Sequence, residues 1–331
     1  MRCFWVEKSE SGEVSASLTE QPTSILDAAE TTSPRIRVQV EYSSLNYKDA
    51  LAATGNPGIV RNFPHIPGID AVGRVMQSED DSFQPGDAVI VTGNQLGVTH
   101  FGGWAEQIDV PSSWAVPLPD SLTPVQAMAL GTAGFTAAQC VAALIDHGVA
   151  PESGRVVVTG ATGGVASLAI SLLVKLGYTV TAVTGKQSEH ANLKQRGVDT
   201  VLSRNEFVDE SRRPLLSAAY AGAVDSVGGK LLETLLRSTS YRGCIAACGL
   251  TGGNELHTTV FPFLLRGITL CGIDSAMCPM PERKKIWQRL AGEWKLDDLD
   301  SLTQIYPMDQ LASLVETILA GKMVGRAVVQ I

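Results

Sequence analysis

Residues 159–166 read Thr159-Gly160-Ala161-Thr162-Gly163-Gly164-Val165-Ala166, set between a short apolar run, Arg155–Thr159, and an amphipathic one. In the second run Val165, Leu168, Ala169, Leu172, Leu173 and Leu176 recur at the spacing of one helical face. Gly177 stands where a glycine ends such a helix. A glycine-rich turn that follows a strand and opens a helix is the setting of a dinucleotide fingerprint. Glycines let the chain turn tightly and let a pyrophosphate approach the main chain. The helix N-terminus supplies unpaired N–H groups and a partial positive charge. The glycines at 160, 163 and 164 depart from a plain G-x-G-x-x-G, and Ala166 takes the strand-packing position, where alanine is an accepted variant. Alone, the turn also fits an ordinary βα connection, so its neighbours decide.

Downstream the strand–helix rhythm continues. Val180–Val183, Val198–Leu202, Ala221–Val227, Cys244–Cys248 and Ile268–Ile273 read as strands, and Leu231–Leu236 as a helix. That alternation predicts an α/β fold with a doubly wound parallel sheet. Upstream, residues 1 to about 125 read as an irregular antiparallel β unit. Arg35–Tyr42 alternates strictly, and Ala88–Thr92 follows the turn Gln84-Pro85-Gly86-Asp87. Val125–Ile145 is rich in Ala and Leu and reads as a helix. In the tail, Leu311, Leu314, Val315, Ile318 and Leu319 form one more helical face, and Arg326–Ile331 reads as a lone strand. A lone strand needs a sheet, so the tail is expected to rejoin the N-terminal unit. The expected domains are 1–124 with 296–331, and an inserted 125–295.

Composition narrows the function. The 331 residues suit two domains. Charged residues are 18%, and 32 residues are glycine, which fits buried strands and tight turns. The net charge of −8 leaves no basic footprint for nucleic acid. The longest unbroken apolar run, Cys140–Ile145, has six residues, far from the ~20 of a membrane span. The opening MRCFWVEKSE has no apolar signal core, so a cytoplasmic location is expected. Cys3, Cys140, Cys244, Cys248, Cys271 and Cys278 read as reduced, mostly buried thiols rather than a disulfide framework.

The second strand ends Val183-Thr184-Gly185-Lys186. An NAD site places a carboxylate there, about 20 residues past the glycine turn, to hold the ribose 2′-hydroxyl. A hydroxyl, a glycine and a cation instead suit a 2′-phosphate, and Arg204 adds a second cation past the third strand. NADPH is therefore expected over NADH. The plain alternative is that both cations are solvated surface charges.

Ser43–Leu51 (SSLNYKDAL) and Arg61–Asp70 (RNFPHIPGID), with the glycine turn, resemble the medium-chain dehydrogenase/reductase superfamily. Within it they resemble the zinc-free quinone-oxidoreductase-like branch and the NADPH-dependent acryloyl-CoA reductase family. Further matching pieces are Gly131–Ala137 (GTAGFTA), Ala221–Gly229 (AGAVDSVGG), Ala246–Leu250 (AACGL), Pro262–Gly267 (PFLLRG) and Gly272–Ser275 (GIDS). The resemblance implies a GroES-like β domain, a Rossmann domain, an active site in the cleft between them, and a homodimer. It places Tyr47 against the nicotinamide ribose and Thr162, Gly163, Gly164 and Val165 on the pyrophosphate. Thr184, Gly185, Lys186 and Arg204 would surround the 2′-phosphate, and Leu250 and Ser275 would line the nicotinamide end.

Zinc-dependent relatives carry a Cys and a Gly-His-Glu segment where this chain has Asn46-Tyr47 and Gly68-Ile69-Asp70, and no Cys lies between Cys3 and Cys140. No metal is therefore expected. A four-cysteine site from Cys244, Cys248, Cys271 and Cys278 is disfavoured, because its first pair falls on a buried strand without a neighbouring His. Alcohol oxidation without metal lacks its Lewis acid. Reduction of a C=C bond conjugated to a carbonyl needs only hydride at the β-carbon, donors for the enolate oxygen, and a proton for the α-carbon.

Tyr47 either supplies that donor or only positions the ribose. Asn46 is an amide donor or a turn residue. Asp70 orients Tyr47, Asn46 or a water, or accepts backbone N–H groups. His65 reads as a core or rim residue, and Arg61 and Arg266 are weak candidates for the phosphates of CoA. The expected activity is NADPH-dependent reduction of an enoyl thioester, acryloyl-CoA to propanoyl-CoA. An NADPH:quinone or enone oxidoreductase and a non-catalytic NADPH-binding sensor remain the alternatives.

Overall fold

A computed structural model of the chain describes residues 1–28 and 33–331. Two compact units emerge, Met1–Thr132 with Ser275–Ile331, and Ala133–Asp274. The first opens with the antiparallel pair β1 (Arg2–Lys8) and β2 (Val14–Glu20). There follow β3 (Arg35–Ser44), the short helix α1 (Tyr47–Ala53), β4 (Asp70–Ser78), β5 (Ala88–Thr92), β6 (Gln107–Pro111) and β7 (Ala115–Pro117). The alternation along β3 is a burial pattern: Ile36, Val38 and Val40 are at most 3% exposed and pack with Val75, Val89, Val91, Ile108 and Val110. Helix α2 (Pro124–Asp146) leads out of this unit, and Gly131 breaks it with φ 49° and ψ −153°. By length and composition α2 is long and apolar enough to cross a membrane, but most of it is buried within the fold, as in a core helix.

The second unit contains β8 (Val156–Thr159), α3 (Gly164–Lys175), β9 (Val180–Thr184), α4 (His190–Gln195), β10 (Thr200–Ser203) and α5 (Arg204–Phe207). It continues with β11 (Tyr220–Asp225), α6 (Gly229–Ser238), β12 (Thr239–Ala247), α7 (Phe261–Arg266) and β13 (Thr269–Gly272). Its six strands are all parallel, in the order β10-β9-β8-β11-β12-β13. Strand order reverses between β8 and β11, which makes that pair the topological switch point of a doubly wound sheet. Val156, Val157 and Val158 are wholly buried, because helices cover both faces of a parallel sheet. This is why β8 reads as an unbroken apolar run.

The first unit then resumes with α8 (Met280–Ala291), β14 (Thr303–Pro307), α9 (Leu311–Leu319) and β15 (Arg326–Gln330). Strand β15 does return to the N-terminal unit, antiparallel to β3 with Val328 opposite Ser44. The sheet runs β14-β15-β3-β4-β5-β7, with β6 on β3. The tail strand is not alone, however: β14 lies parallel to it. The sequence TQIYP hides that strand, because it is only partly buried and shows no apolar alternation.

The unit boundaries fall at Thr132/Ala133 and Asp274/Ser275, rather than at 124/125 and 295/296. The downstream difference has a physical cause. Arg283, 1% exposed, donates to the carbonyls of Thr92 (2.8 Å), Ala276 (2.9 Å) and Ser275 (3.1 Å). Asn94 N–H donates to Ala276 O at 2.8 Å, and Ser121 Oγ to Ala291 O at 2.7 Å. These bonds fix residues 275–291 to the β unit.

The bend at Gly131 generates a prediction. A Cβ there would lie 2.5 Å from Asp70 Oδ2, on a backbone in the left-handed half of φ space. Gly131→Ala is expected to destabilise the protein by about 2 kcal/mol or more. Denaturant unfolding measures it, and an unchanged midpoint would show that the bend tolerates a side chain.

Candidate active site

The first unit gathers its polar residues where β3 passes into α1. Asn46 is the N-cap of α1, and Asp49, at the third helical position, accepts its N–H at 2.8 Å. Asp49 is wholly buried and also accepts from Ile69 N–H at 2.8 Å. Burial, and then the nearby charge of Asp70, push its carboxyl up to about 7. Asp70, at the start of β4, is equally buried. Its Oδ2 accepts from Ser44 Oγ (2.6 Å), Asn46 Nδ2 (2.8 Å) and Thr132 N–H (2.9 Å), and its Oδ1 from Thr132 Oγ1 (2.6 Å).

The counter-charge is Arg326 of β15, 3% exposed. It donates to Ala129 O at 2.8 Å, to Leu45 O and Asn46 Oδ1 at 3.3 Å, and to Met128 O at 3.5 Å. Burial draws its pKa down, while Asp70 and Asp49 hold it up. The break at Gly131 makes this possible. In a continuous helix Thr132 N–H would bond Met128 O. Here the N–H turns to Asp70 and the carbonyl to Arg326. The Asn46 amide lies between a carboxylate and a guanidinium, so its orientation is set by chemistry: Nδ2 must face Asp70 and Oδ1 must face Arg326.

These contacts fall within the alternatives expected for Asp70 and Asn46. Asp70 orients Asn46 and no bond joins it to Tyr47. The Asn46 amide is committed to Asp70, with Ser44 Oγ at 3.1 Å and Asp49 at 3.2 Å as its other acceptors. Both act as anchors of the start of α1. Tyr47, the first residue of that helix, is 45% exposed, and its hydroxyl has no hydrogen-bond partner among the described residues. His65 is a core residue: it is 3% exposed, its Nε2 faces Gly97 O at 3.0 Å, and burial pulls its pKa down. Ser275 of this unit is half-buried, its carbonyl held by Arg283. Arg61 is exposed.

In the second unit the glycine turn lies at the end of β8. Gly160 has φ +64°, and a Cβ there would meet Ser226 Oγ at 2.7 Å. Gly163 caps α3, and its N–H returns to Gly160 O at 2.8 Å. Thr162 is buried, Gly163 exposed, and Gly164 and Val165 half-exposed, so backbone at the helix N-terminus is open to a ligand. The switch point is held by a second buried carboxylate. Asp225 accepts from Thr159 Oγ1 at 2.5 Å and from Gly228 N–H at 2.8 Å, and burial raises its pKa.

At the end of β9, Thr184 is buried and its Oγ1 accepts Lys186 N–H at 3.1 Å. Ser203 pairs with Thr184 across β9 and β10, which brings Arg204 beside Gly185: a Cβ on Gly185 would lie 3.4 Å from Arg204 Nε. Burial lowers the pKa of Lys186 and Glu189 raises it. The four residues expected around a 2′-phosphate thus share one corner. Leu250 is 66% exposed. Arg266 is not available to a ligand, because it donates to the carbonyls of Arg237 and Thr239 at 2.9 Å and to that of Leu216.

Sequence reasoning missed Arg326, Thr132, Ser44, Asp49 and the Thr159–Asp225 pair. The signals present were an Asn-x-x-Asp capping pattern at 46–49 and a charge opening an apolar strand at 326.

Comparison with known proteins is consistent along the chain. The alcohol dehydrogenase GroES-like domain matches residues 33–120, and the zinc-binding dehydrogenase model matches residues 164–291. The chain is 44% identical to the acrylyl-CoA reductase AcuI of Ruegeria pomeroyi over 322 residues, covering 97% of this chain and 96% of that one. Among solved structures, the YhdH oxidoreductase of Salmonella enterica in complex with NADP superposes with a TM-score of 0.95 at 44% identity, covering all of both chains. The Bacillus subtilis protein YhfP with NAD bound gives 0.95 at 42% identity, covering 100% of this chain and 99% of that one.

The buried carboxyl of Asp49 sets a pH dependence. Its folded pKa of about 7 lies above the usual 3.8, so the folded state retains a proton that the unfolded state has lost. Its contribution to stability therefore falls as pH rises from about 4 through 7 and is gone above that. The stability difference between wild type and Asp49→Asn, measured from pH 4 to 8, is expected to shift against the wild type by up to a few kcal/mol. A flat difference would contradict a raised Asp49.

Proposed function

The chain belongs to the medium-chain dehydrogenase/reductase superfamily, among members of the acrylyl-CoA reductase type, and from that we propose that it reduces the C=C bond of acryloyl-CoA to propanoyl-CoA with NADPH. The observation that carries this reading is the near full-length 44% identity to an acrylyl-CoA reductase. NADPH, when bound, supplies the hydride that adds to the β-carbon of the enoyl thioester. The backbone N–H groups of Gly164 and Val165, with Thr162 and Gly163 beside them, would hold its pyrophosphate, and Thr184, Gly185, Lys186 and Arg204 would surround its 2′-phosphate. Leu250 of the second unit would line its nicotinamide end. A ligand phosphate beside Lys186 would favour the charged form that partial burial disfavours.

Negative charge that develops on the thioester oxygen needs a donor, and the α-carbon needs a proton. Tyr47 of the first unit, whose hydroxyl has no hydrogen-bond partner among the described residues, is free to give either. Its hydroxyl is exposed enough to exchange protons with solvent, and its backbone is held by the Asn46–Asp70–Arg326 network. Asn46 and Asp70 act as positioning residues. Asn46-Tyr47 and Gly68-Ile69-Asp70 stand in the regions where zinc-dependent relatives carry a Cys and a Gly-His-Glu segment, and here Asn46 and Asp70 are tied to each other, which supports chemistry without zinc.

A homodimer in the cytoplasm fits the same reading. Its support is the sheet-edge strand β13 and the neighbouring α7, whose Phe261, Leu264 and Leu265 are 45%, 76% and 60% exposed. Sedimentation equilibrium is expected to give twice the chain mass, and a monomer at micromolar concentration would exclude it.

Steady-state kinetics test the activity. Turnover is expected to be highest with acryloyl-CoA, lower with crotonyl-CoA, and poor with a quinone. Efficient turnover of the quinone alone would favour an enone or quinone reductase, and tight NADPH binding without turnover a sensor. Lys186→Ala is expected to lower kcat/KM for NADPH roughly 10- to 100-fold, as for loss of a charged hydrogen bond, and to leave NADH little changed. Equal effects on both cofactors would remove Lys186 from the 2′-phosphate. Tyr47→Phe is expected to lower kcat by about 100-fold. A rise in the KM for NADPH at constant kcat would instead assign Tyr47 to cofactor positioning.

A further inference from the structure

The second unit holds a cluster with no part in the reading above. His147, just past the C-terminal end of α2, Cys244 of β12 and Cys271 of β13 bring their donor atoms within 4.8 Å of one another. The two sulfurs are 3.9 Å apart, and His147 Nε2 lies 3.7 Å from Cys271 Sγ. We propose that His147, Cys244 and Cys271 form a binding site for a borderline-soft divalent cation of the zinc type, with water as the fourth ligand.

The geometry carries the proposal. In a tetrahedral site with Zn–S near 2.3 Å and Zn–N near 2.0–2.1 Å, neighbouring sulfurs lie about 3.8 Å apart and sulfur and nitrogen about 3.5–3.6 Å. The observed 3.9 Å between the sulfurs and 3.7 Å from Cys271 Sγ to Nε2 are within a few tenths of those edges; Cys271 Sγ also lies 3.9 Å from Nδ1, so a turn of the exposed imidazole is what aims the Nε2 lone pair at the ion and brings Cys244, within 4.8 Å, into range. The histidine is also set in the required tautomer. Its Nδ1 lies 2.8 Å from Ala143 O, a pure acceptor, so Nδ1 carries the proton and Nε2 keeps its lone pair. That hydrogen bond is the outer support that metal-bound imidazoles commonly have. Cys244 is wholly buried, Cys271 half-buried and His147 exposed, so an ion can enter from the histidine side.

A disulfide does not compete for the same thiols. Cys244 lies opposite Thr269, and Cys271 opposite Ala246, so the cysteines are diagonal neighbours two residues apart in register. Diagonal Cα spacings of about 7–8 Å exceed the reach of a disulfide. The four-cysteine site weighed from sequence is not assembled. Cys278 belongs to the first unit, and the Cys248 thiol donates to Asp225 O at 3.4 Å instead. The sequence could not show His147 as the missing ligand, because about 100 residues separate it from Cys244.

Titration of the full-length reduced protein with Co²⁺, followed by absorption, tests the site. Thiolate-to-cobalt charge-transfer bands and tetrahedral d–d bands are expected to saturate at one Co²⁺ per chain and to be displaced by Zn²⁺. Cys271→Ser and the surface variant His147→Ala are each expected to weaken binding at least tenfold, and Cys248→Ser to leave it unchanged. Absence of the bands in wild type would overturn the proposal. So would bands that persist in Cys271→Ser and His147→Ala, or that vanish in Cys248→Ser.

Discussion

The buried carboxylate of Asp70 is the constraint on which the first unit depends. A charge removed from water must be met by donors or a counter-ion, and the cost of leaving it bare is several kcal/mol. Asp70 meets that demand with four donor contacts and the charge of Arg326 nearby. The donors come from β3, the start of α1 and the bend of α2, and the counter-charge from β15. One side chain therefore fixes where four elements meet. The bend at Gly131 follows from the same demand, since it frees Thr132 N–H for Asp70 and the carbonyls of Met128 and Ala129 for Arg326. What emerges at the surface of this cluster is Tyr47, on a helix start that cannot rotate without breaking the network.

The second unit repeats the device in smaller form. Asp225, buried at the switch point, ties the end of β8 to the end of β11 through Thr159 and caps the turn into α6 through Gly228. The glycine turn hangs from Thr159, so its backbone N–H groups are aimed by a buried carboxylate. In both units an acidic side chain is used for geometry. This accounts for buried acids in a protein whose expected cofactor is an anion, because their charge is spent inside the fold.

How much of this was legible follows from the range of each interaction. The β8–turn–α3 unit is local, so glycine spacing and helical periodicity were enough to find it, and β15 was found because Ala327-Val328-Val329 cannot stay unpaired. Asn46, Tyr47 and Asp70 were identified as site residues, yet the division of labour among them was not legible. It depends on the Asn46 amide being held between Asp70 and Arg326, a contact that spans 280 residues. Arg326 in the sequence is only a polar residue at a strand edge. Its burial becomes tolerable because a helix breaks elsewhere, and no local pattern encodes that. Strand β14 was missed for the opposite reason: it is an edge strand, too exposed to carry an apolar signature.

The return of β15 to β3 also orders events in time. Leu45 O receives its bond from a residue 281 positions later, and Asp70 waits for the same arginine. On the ribosome the N-terminal strands therefore emerge with their central carboxylate still facing solvent, while the parallel sheet of the second unit, whose contacts lie within one continuous segment, can close first. Until the last strand arrives, the Tyr42–Ser44 end of β3 lacks its partner, while Arg35–Gln39 is already covered by β6, so the stretch left open to pairing between nascent chains is short.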